Sequence, residues 1–289
     1  MNQMPKITIG LPVYNGEKTI AKALTHLLNQ TYQNFEIIIS DNASTDKTQA
    51  EVEKFTDERI SYFKQSENLG STGNFNYVLR KASGEFFMWH SHDDWIDTDY
   101  LEKCIKKFMD NEDLSLVTGQ AKYYDGDQFI RLGERTQFDQ NSACDRVKSY
   151  YTVVTDNGVF YGVMRLAHIS KIEIRNVLSG DWMIIAALAY AGKIIHFDET
   201  FINRALGGTS RSYANIIKSL KLSPLYHYFP YAIVSVDAGL EVFRCQIYDD
   251  LSFIRKTVFA CEICWTINYR IFKRRALKVL KRLMPGKLS

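Results

Sequence analysis

Two adjacent carboxylates, Asp93 and Asp94, follow a short apolar run, Phe86-Phe87-Met88-Trp89, across a polar turn that also holds His90, Ser91 and His92. Paired acids just past a strand suit a hard divalent cation such as Mg2+ or Mn2+, which keeps waters and shares its remaining positions with substrate phosphates. The same pair is ordinary chemistry for a turn or a helix start, so spacing alone leaves both open. Another acid, Asp41, ends the β-rich run 35–39 within Ser40-Asp41-Asn42-Ala43-Ser44-Thr45-Asp46, and Tyr14-Asn15 ends the run 7–13. A carboxylate can accept a hydrogen bond from a nucleobase N–H and a tyrosine ring can stack on the base. A plain turn and a partly buried aromatic are the structural alternatives. Asp181 stands before an apolar helical run, 183–191, where it suits a helix cap. His90-x-His92-x-Asp94 also matches most of an HxHxDH hydrolase metal pattern, with Trp95 at the last histidine.

The elements that would position these groups alternate. Apolar β-rich runs at 7–13, 35–39, 60–63 and 86–89 are separated by helical stripes at 17–29, after Asp46 to about 55, and 73–82, with a further helix from about 98. This alternation predicts an α/β fold with a parallel, doubly wound sheet and right-handed crossovers, whose strand ends converge on one crevice. Ser44 or Thr45 is expected to cap the second helix. A strand at 114–118, a hairpin turn at Asp125-Gly126, a strand at 192–197 and helices over 224–243 follow; 131–160 carries no motif. No GxGxxG or GxxxxGK[ST] is present, so neither a dinucleotide fingerprint nor a P-loop is available.

Pro12-Val13-Tyr14-Asn15, the 40–46 segment, Glu67-Asn68-Leu69-Gly70, and Ala82-Ser83-Gly84-Glu85 leading to Asp93-Asp94 resemble, in that order, the nucleotide-sugar half of inverting family 2 glycosyltransferases. The resemblance is close over about the first 110 residues. It implies a GT-A (Rossmann-like), mostly parallel sheet flanked by helices, and a nucleoside diphosphate-sugar donor, UDP- or dTDP-linked by preference. By the same resemblance Pro12, Tyr14, Asn15, Asp41, Asn68 and Asp93 contact the nucleotide, and Asp94 is the direct ligand of Mn2+ or Mg2+. Asp181 becomes the catalytic base, and Arg204 and Arg211 contact the diphosphate. The implied acceptor is a glycan or lipid-linked hydroxyl in surface polysaccharide assembly. Four positions depart from the pattern: Ser91 replaces an acid, Gly73-Asn74-Phe75 replaces a segment with Arg, Gly180 replaces the first acid of a Glu-Asp pair, and Leu206 replaces a histidine. These departures also motivate a non-catalytic sugar-nucleotide or glycan-binding protein, beside the metal-dependent hydrolase suggested by His90, His92 and Asp94.

The expected organisation is a catalytic domain over 1–215, with a donor half to 110 and an acceptor half beyond it, and a helical extension over 216–289. Hydrophobic residues at 46% and charged residues at 24% fit a soluble globular chain of 289 residues. No apolar run is long enough to span a bilayer, and the first residues lead directly into a strand, so no secretory signal is expected. The net charge of +3 arises at the tail, since residues 263–289 hold eight Lys or Arg and no acid. From about 268 the tail reads as a basic amphipathic helix, Phe272 on the apolar side and Arg270 and Arg274 on the other, suited to an anionic leaflet or to packing on the domain. No nucleic-acid partner is indicated, and a cytoplasmic location, at the inner face of the membrane, is expected. The five cysteines form no even framework, and Cys261-Glu-Ile-Cys264 reads as helix packing.

Overall fold

A computed structural model describes residues 4–155, 157–206 and 213–283. The first half alternates as its periodicity demands: β1 (Ile7–Val13), α1 (Ile20–Leu28), β2 (Phe35–Asp41), α2 (Thr48–Val52), β3 (Ile60–Lys64), α3 (Gly70–Lys81) and β4 (Phe86–Trp89). All seven residues of β1 are buried, which is why the strand reads as a continuous apolar run rather than an alternating one. In α1, Ile20, Ala23, Leu24 and Leu27 make the buried stripe. Helix α3 lies directly on β1: a Cβ at Gly10 would stand 2.7 Å from Val78 Cγ2, so only glycine admits that approach.

The second half contains β5 (Trp95–Ile96), α4 (Tyr100–Asp110), β6 (Leu114–Asp125), β7 (Gln128–Leu132), α5 (Ala143–Val153), β8 (Val163–Arg165), α6 (Leu166–Ile169), α7 (Gly180–Ala191) and β9 (Lys193–Ala205). The sheet runs β3-β2-β1-β4-β8-β6-β9-β5, with β7 paired to β6. Strands β3, β2, β1 and β4 are mutually parallel, as are β6 and β9. Short β8 runs antiparallel between β4 and β6 and joins the two parallel groups. The sheet is mostly parallel, as expected, and the antiparallel strands β5 and β8, of two and three residues, are too short to show a periodicity in the sequence. The geometry puts the C-terminal ends of β1, β2, β4, β6 and β9 at one edge.

Behind that edge, α7 is buried on every side from Trp182 to Tyr190. Its C-terminal carbonyls are closed by Arg146, whose Nε donates to Ala189 O at 2.6 Å and Nη2 to Tyr190 O at 3.0 Å. Four helices follow: α8 (Tyr213–Ser219), α9 (Leu225–Tyr228), α10 (Pro230–Arg244) and α11 (Phe253–Leu283). Helices α10 and α11 run antiparallel, because Phe243 meets Phe253 while Ser235 meets Cys264 and Asn268. Cys264 thus belongs to a helix contact and Cys261 is exposed. Phe259, Ile263 and Ile267 of α11 enter the same apolar core as Tyr150, Tyr151 and α7. Among the described residues no helix is long and apolar enough to cross a membrane.

The tail's orientation differs from its sequence pattern. Arg270 is 8% exposed and donates from Nη1 to Tyr151 O at 2.7 Å, its guanidinium 5.2 Å from the Trp182 ring, whereas Phe272 is 69% exposed. The anchor is set upstream by Ile263 and Ile267, and helical spacing then carries Arg270 inward. Replacing Ile263 by Ala leaves a cavity between α11 and the core, with an expected loss of about 2–5 kcal/mol of unfolding free energy in urea titration. Coincident loss of helical circular dichroism and tryptophan fluorescence is expected if the helical pair unfolds with the sheet.

Candidate functional site

The loops after β1 and β2 are built from side-chain to main-chain hydrogen bonds. Asp41 is fully buried; its Oδ1 accepts from Ser44 N at 2.8 Å and its Oδ2 from the Tyr62 hydroxyl. Burial, reinforced by Asp41, pushes the Tyr62 phenol pKa up, so that hydroxyl remains a donor. Asn15, at φ +54°, accepts at Oδ1 from Thr45 N and donates its own N–H to Ser44 Oγ, both at 2.9 Å. Ser44 and Thr45 therefore brace this loop rather than cap α2; Asp46 Oδ1 accepts from Thr48 N instead. Asn42 accepts from Leu69 N at 2.7 Å and donates to Asn68 Oδ1 at 3.0 Å, bringing in the next loop. At the base, Asn74 donates to Ser40 O at 2.9 Å and Val13 O at 3.4 Å, pinning the ends of two strands. Tyr14 projects from this frame 47% exposed, Asn15 and Asn68 are exposed, and Pro12 is buried within β1.

Beyond β4 the two acids differ. Asp94 is 4% exposed; Oδ2 accepts from Arg204 Nε at 3.1 Å and Oδ1 from Ala205 N at 2.9 Å. Burial pushes its carboxyl pKa up to about 6 against the pull of Arg204. Burial alone would weaken the protonation of Arg204, but the Asp94 carboxylate more than offsets it and raises the guanidinium pKa. Its guanidinium lies 4.3 Å from the Tyr161 ring centroid. Asp93 is half-buried and accepts from the Ser91 hydroxyl. Hard oxygen donors on adjacent residues fit a divalent ion that takes its other ligands from water and phosphate. Among the described residues, no group of three or more His, Cys, Asp or Glu side chains gathers to hold a metal.

That finding bears on the hydrolase pattern. His92 shares a 2.7 Å hydrogen bond between Nδ1 and Thr19 Oγ1, and Asp94 is aimed at Arg204. His90 is 2% exposed with both ring nitrogens unpartnered, and burial lowers its pKa to about 4. The three residues are adjacent in sequence but do not converge on one point.

Arg204 and Asp181 line a single cleft of about 690 Å3, with Tyr161, Trp182 and Asn157 among its walls and Ser71 and Thr72 toward the donor loops. Asp181 is not the helix cap: Ser179 takes that position at φ +58°, and Asp181 falls in the first turn of α7. Burial raises its pKa, opposed by a 2.8 Å hydrogen bond donated from Asn157 Nδ2 to Oδ2 and by nearby main-chain N–H groups. Asn157 is oriented by Tyr150, whose hydroxyl donates to Asn157 Oδ1 at 3.1 Å. The turn Gly158–Tyr161 is fixed against the sheet by Phe160, stacked on Trp89 at 4.7 Å. Asp41, Tyr14, Asp93 and Asp94 do not line this cleft; they follow strands that end at the same sheet edge. Arg211 lies outside the described residues. No sequence signal marks Asn157, inside the motif-free segment 131–160, or Tyr161, just beyond it. A second cavity, of about 740 Å3, lies at the opposite edge and holds Arg165 near Glu85 at 3.6 Å. It contains none of the predicted site residues.

The sheet and its flanking helices have the GT-A arrangement. The family model described as "Glycosyl transferase family 2" matches residues 8–172, more than half of the chain, and the chain belongs to that family. S. aureus TarS 1–349 in complex with UDP-GlcNAc superposes with a TM-score of 0.66 at 19% identity, covering 93% of this chain and 73% of TarS. Mannosyltransferase PcManGT from Pyrobaculum calidifontis, in complex with GDP-Man and Mn2+, superposes with a TM-score of 0.56 at 15% identity, covering 96% and 76%. The Escherichia coli enzyme named UDP-Glc:alpha-D-GlcNAc-diphosphoundecaprenol beta-1,3-glucosyltransferase WfgD is 32% identical over 125 residues, 43% of this chain and 49% of WfgD. The matches span about half or less of the length of the first curated relatives.

Removing the amide that steadies Asp181 has a definite sign. A hydrogen bond to the charged form lowers a carboxyl pKa, so Asn157→Leu is expected to raise that of Asp181 further. A charged hydrogen bond of about 1.5–3 kcal/mol corresponds to about 1–2 pKa units, read by carbon NMR titration of the labelled carboxyl.

Proposed function

We propose that this protein transfers a sugar, with inversion, from a nucleoside diphosphate donor to a hydroxyl of a glycan or lipid-linked acceptor in cell-surface polysaccharide assembly. The observation that carries this reading is the single cleft shared by Asp181 and Arg204, with Asp94 ion-paired to Arg204 on its donor side. The nucleotide contacts proposed are Tyr14 stacking on the base, Asp41 accepting a hydrogen bond from it, and Pro12, Asn15, Asn68 and Asp93 completing the donor side. UDP or dTDP is the favoured carrier; the TarS complexes with UDP and UDP-GlcNAc support a uridine nucleotide in this fold. The Asp93–Asp94 pair, with Asp94 the proposed direct ligand, would hold Mn2+ or Mg2+. When bound, that ion supplies Lewis-acid neutralisation of charge on the leaving diphosphate.

The chain's own residues divide the remaining work. Asp181 accepts the proton of the acceptor hydroxyl as its oxygen attacks the anomeric carbon, and the bond to the β-phosphate oxygen breaks with its electron pair leaving on the nucleoside diphosphate. One base opposite one leaving group makes a single displacement, hence inversion. Arg204 faces the departing diphosphate, and Arg211 is proposed beside it. The raised pKa of Asp181 brings its ionisation nearer working pH, where a base is most effective. A lipid-linked acceptor, as in the name of the WfgD relative, would place the reaction at the cytoplasmic face of the membrane.

Asp181→Asn is expected to retain donor binding by calorimetry while transfer falls by about 10²–10⁴-fold. Undiminished transfer in that variant would remove Asp181 from the mechanism. In the unaltered protein kcat/KM should fall as the pH drops through the raised Asp181 pKa, placing its acid limb above the ordinary aspartate value of about 4. Tyr14→Ala should weaken UDP binding by about 0.5–1.5 kcal/mol in titrations run with and without Mn2+. Donor binding without transfer or donor hydrolysis, across a broad acceptor set, would favour a non-catalytic binding protein.

A further inference from the structure

Helix α11 is apolar on two opposite sides. One side, Phe259, Ile263 and Ile267, is spent on the core. The other is a stripe at helical spacing, Ile254, Val258, Trp265, Tyr269 and Phe272, with Trp265 72%, Tyr269 53% and Phe272 69% exposed. From Ile254 to Phe272 the stripe extends about 27 Å along the axis. It continues onto α10, since Phe243 and Phe253 lie 5.8 Å apart and Val236 and Leu240 are also exposed. An exposed apolar surface this continuous marks an interaction site rather than scattered surface residues.

Charge selects the partner. Among the described side chains of α11, Arg255, Lys273, Arg274 and Arg275 are exposed, and its one acid, Glu262, is already paired with Lys148 at 3.5 Å. Arg255 and Lys273 flank the stripe on one side and Arg275 on the other, all exposed. A second copy docked here would bring this basic surface against itself, whereas anionic headgroups would neutralise it. Exposed Trp and Tyr with basic flanks are the composition of a helix lying in a headgroup layer.

We infer that the outer face of α10 and α11 is a docking surface for an anionic lipid bilayer, with the Trp265–Phe272 segment entering the headgroup region. The opposite, buried side of α10 reaches the cleft: Arg175 lines the cleft and donates to the buried Glu241 of α10 at 2.8 Å. The inference deepens the lipid-linked acceptor reading, yet vesicle binding is measured without sugar transfer, so the two fail separately.

The test is co-sedimentation of the full chain with phosphatidylcholine vesicles, with and without about 30% phosphatidylglycerol, at low and high salt. Binding is expected to rise at least about 10-fold with the anionic lipid and to fall with salt. A W265S/Y269S/F272S variant, altered only at exposed positions, should lose about 10-fold in binding with an unchanged melting profile. K273E/R274E/R275E should abolish the anionic preference independently. Wild-type protein that ignores anionic vesicles, or a serine variant that binds as well as wild type, overturns the inference. So does a dimer in sedimentation velocity that the serine variant abolishes, since that result assigns the face to a second copy.

Discussion

A carboxylate withdrawn from water and a guanidinium on the wall of the cleft meet where the two groups of strands converge. Asp94 follows β4 and Arg204 lies near the end of β9, so their ion pair ties the parallel first half to the mixed second half. The Asp94 charge could not remain there alone, because an unpaired buried charge costs several kcal/mol. Their approach is set by β5, whose two residues pair with β9 through Trp95 opposite Asn203, and by Asn203 donating to Asp97 at 3.0 Å. A strand too short to notice in the sequence therefore fixes which acid faces which arginine.

On either side of that pair the molecule uses different means of holding a shape. The loops after β1 and β2 have little apolar content to bury and are held by asparagine, serine and aspartate side chains bonded to neighbouring main chain, with Asn15 and Ala43 at positive φ. The walls around Asp181 are held by aromatic contact, Trp89 on Phe160 and Arg204 on Tyr161, with Asn157 and Tyr150 as a polar insertion beside the carboxylate. The first arrangement fixes polar groups in one geometry at the sheet edge. The second gives a drier wall around one carboxylate, raising its proton affinity.

This difference explains what could be read from the chain unaided. The donor half writes its structure locally: a buried strand is an apolar run, the loop after it is a cluster of turn residues, and Asp41, Asp93 and Asp94 fall at strand ends that periodicity locates. The acceptor half is written in contacts between distant segments. Asn157 gains its place from Asp181, 24 residues later, and from Tyr150, itself held in the core by packing against distant segments. Asn74 likewise stands where an arginine was sought, and its role, joining the ends of β1 and β2, is visible only once both strands are assembled. The tail misled for a related reason, because amphipathic patterning identifies two faces without saying which one the rest of the molecule claims.

Helix α7 carries Asp181 at one end and is closed by Arg146 at the other, with apolar neighbours all around its length. A rod enclosed this way has no free side along which to slide, so the carboxylate at its tip is a fixed landmark. The cleft's shape is instead set by the segments facing that landmark, such as 157–161 and 174–178, while the helix itself stays put. Those walls can be rebuilt without relocating the carboxylate.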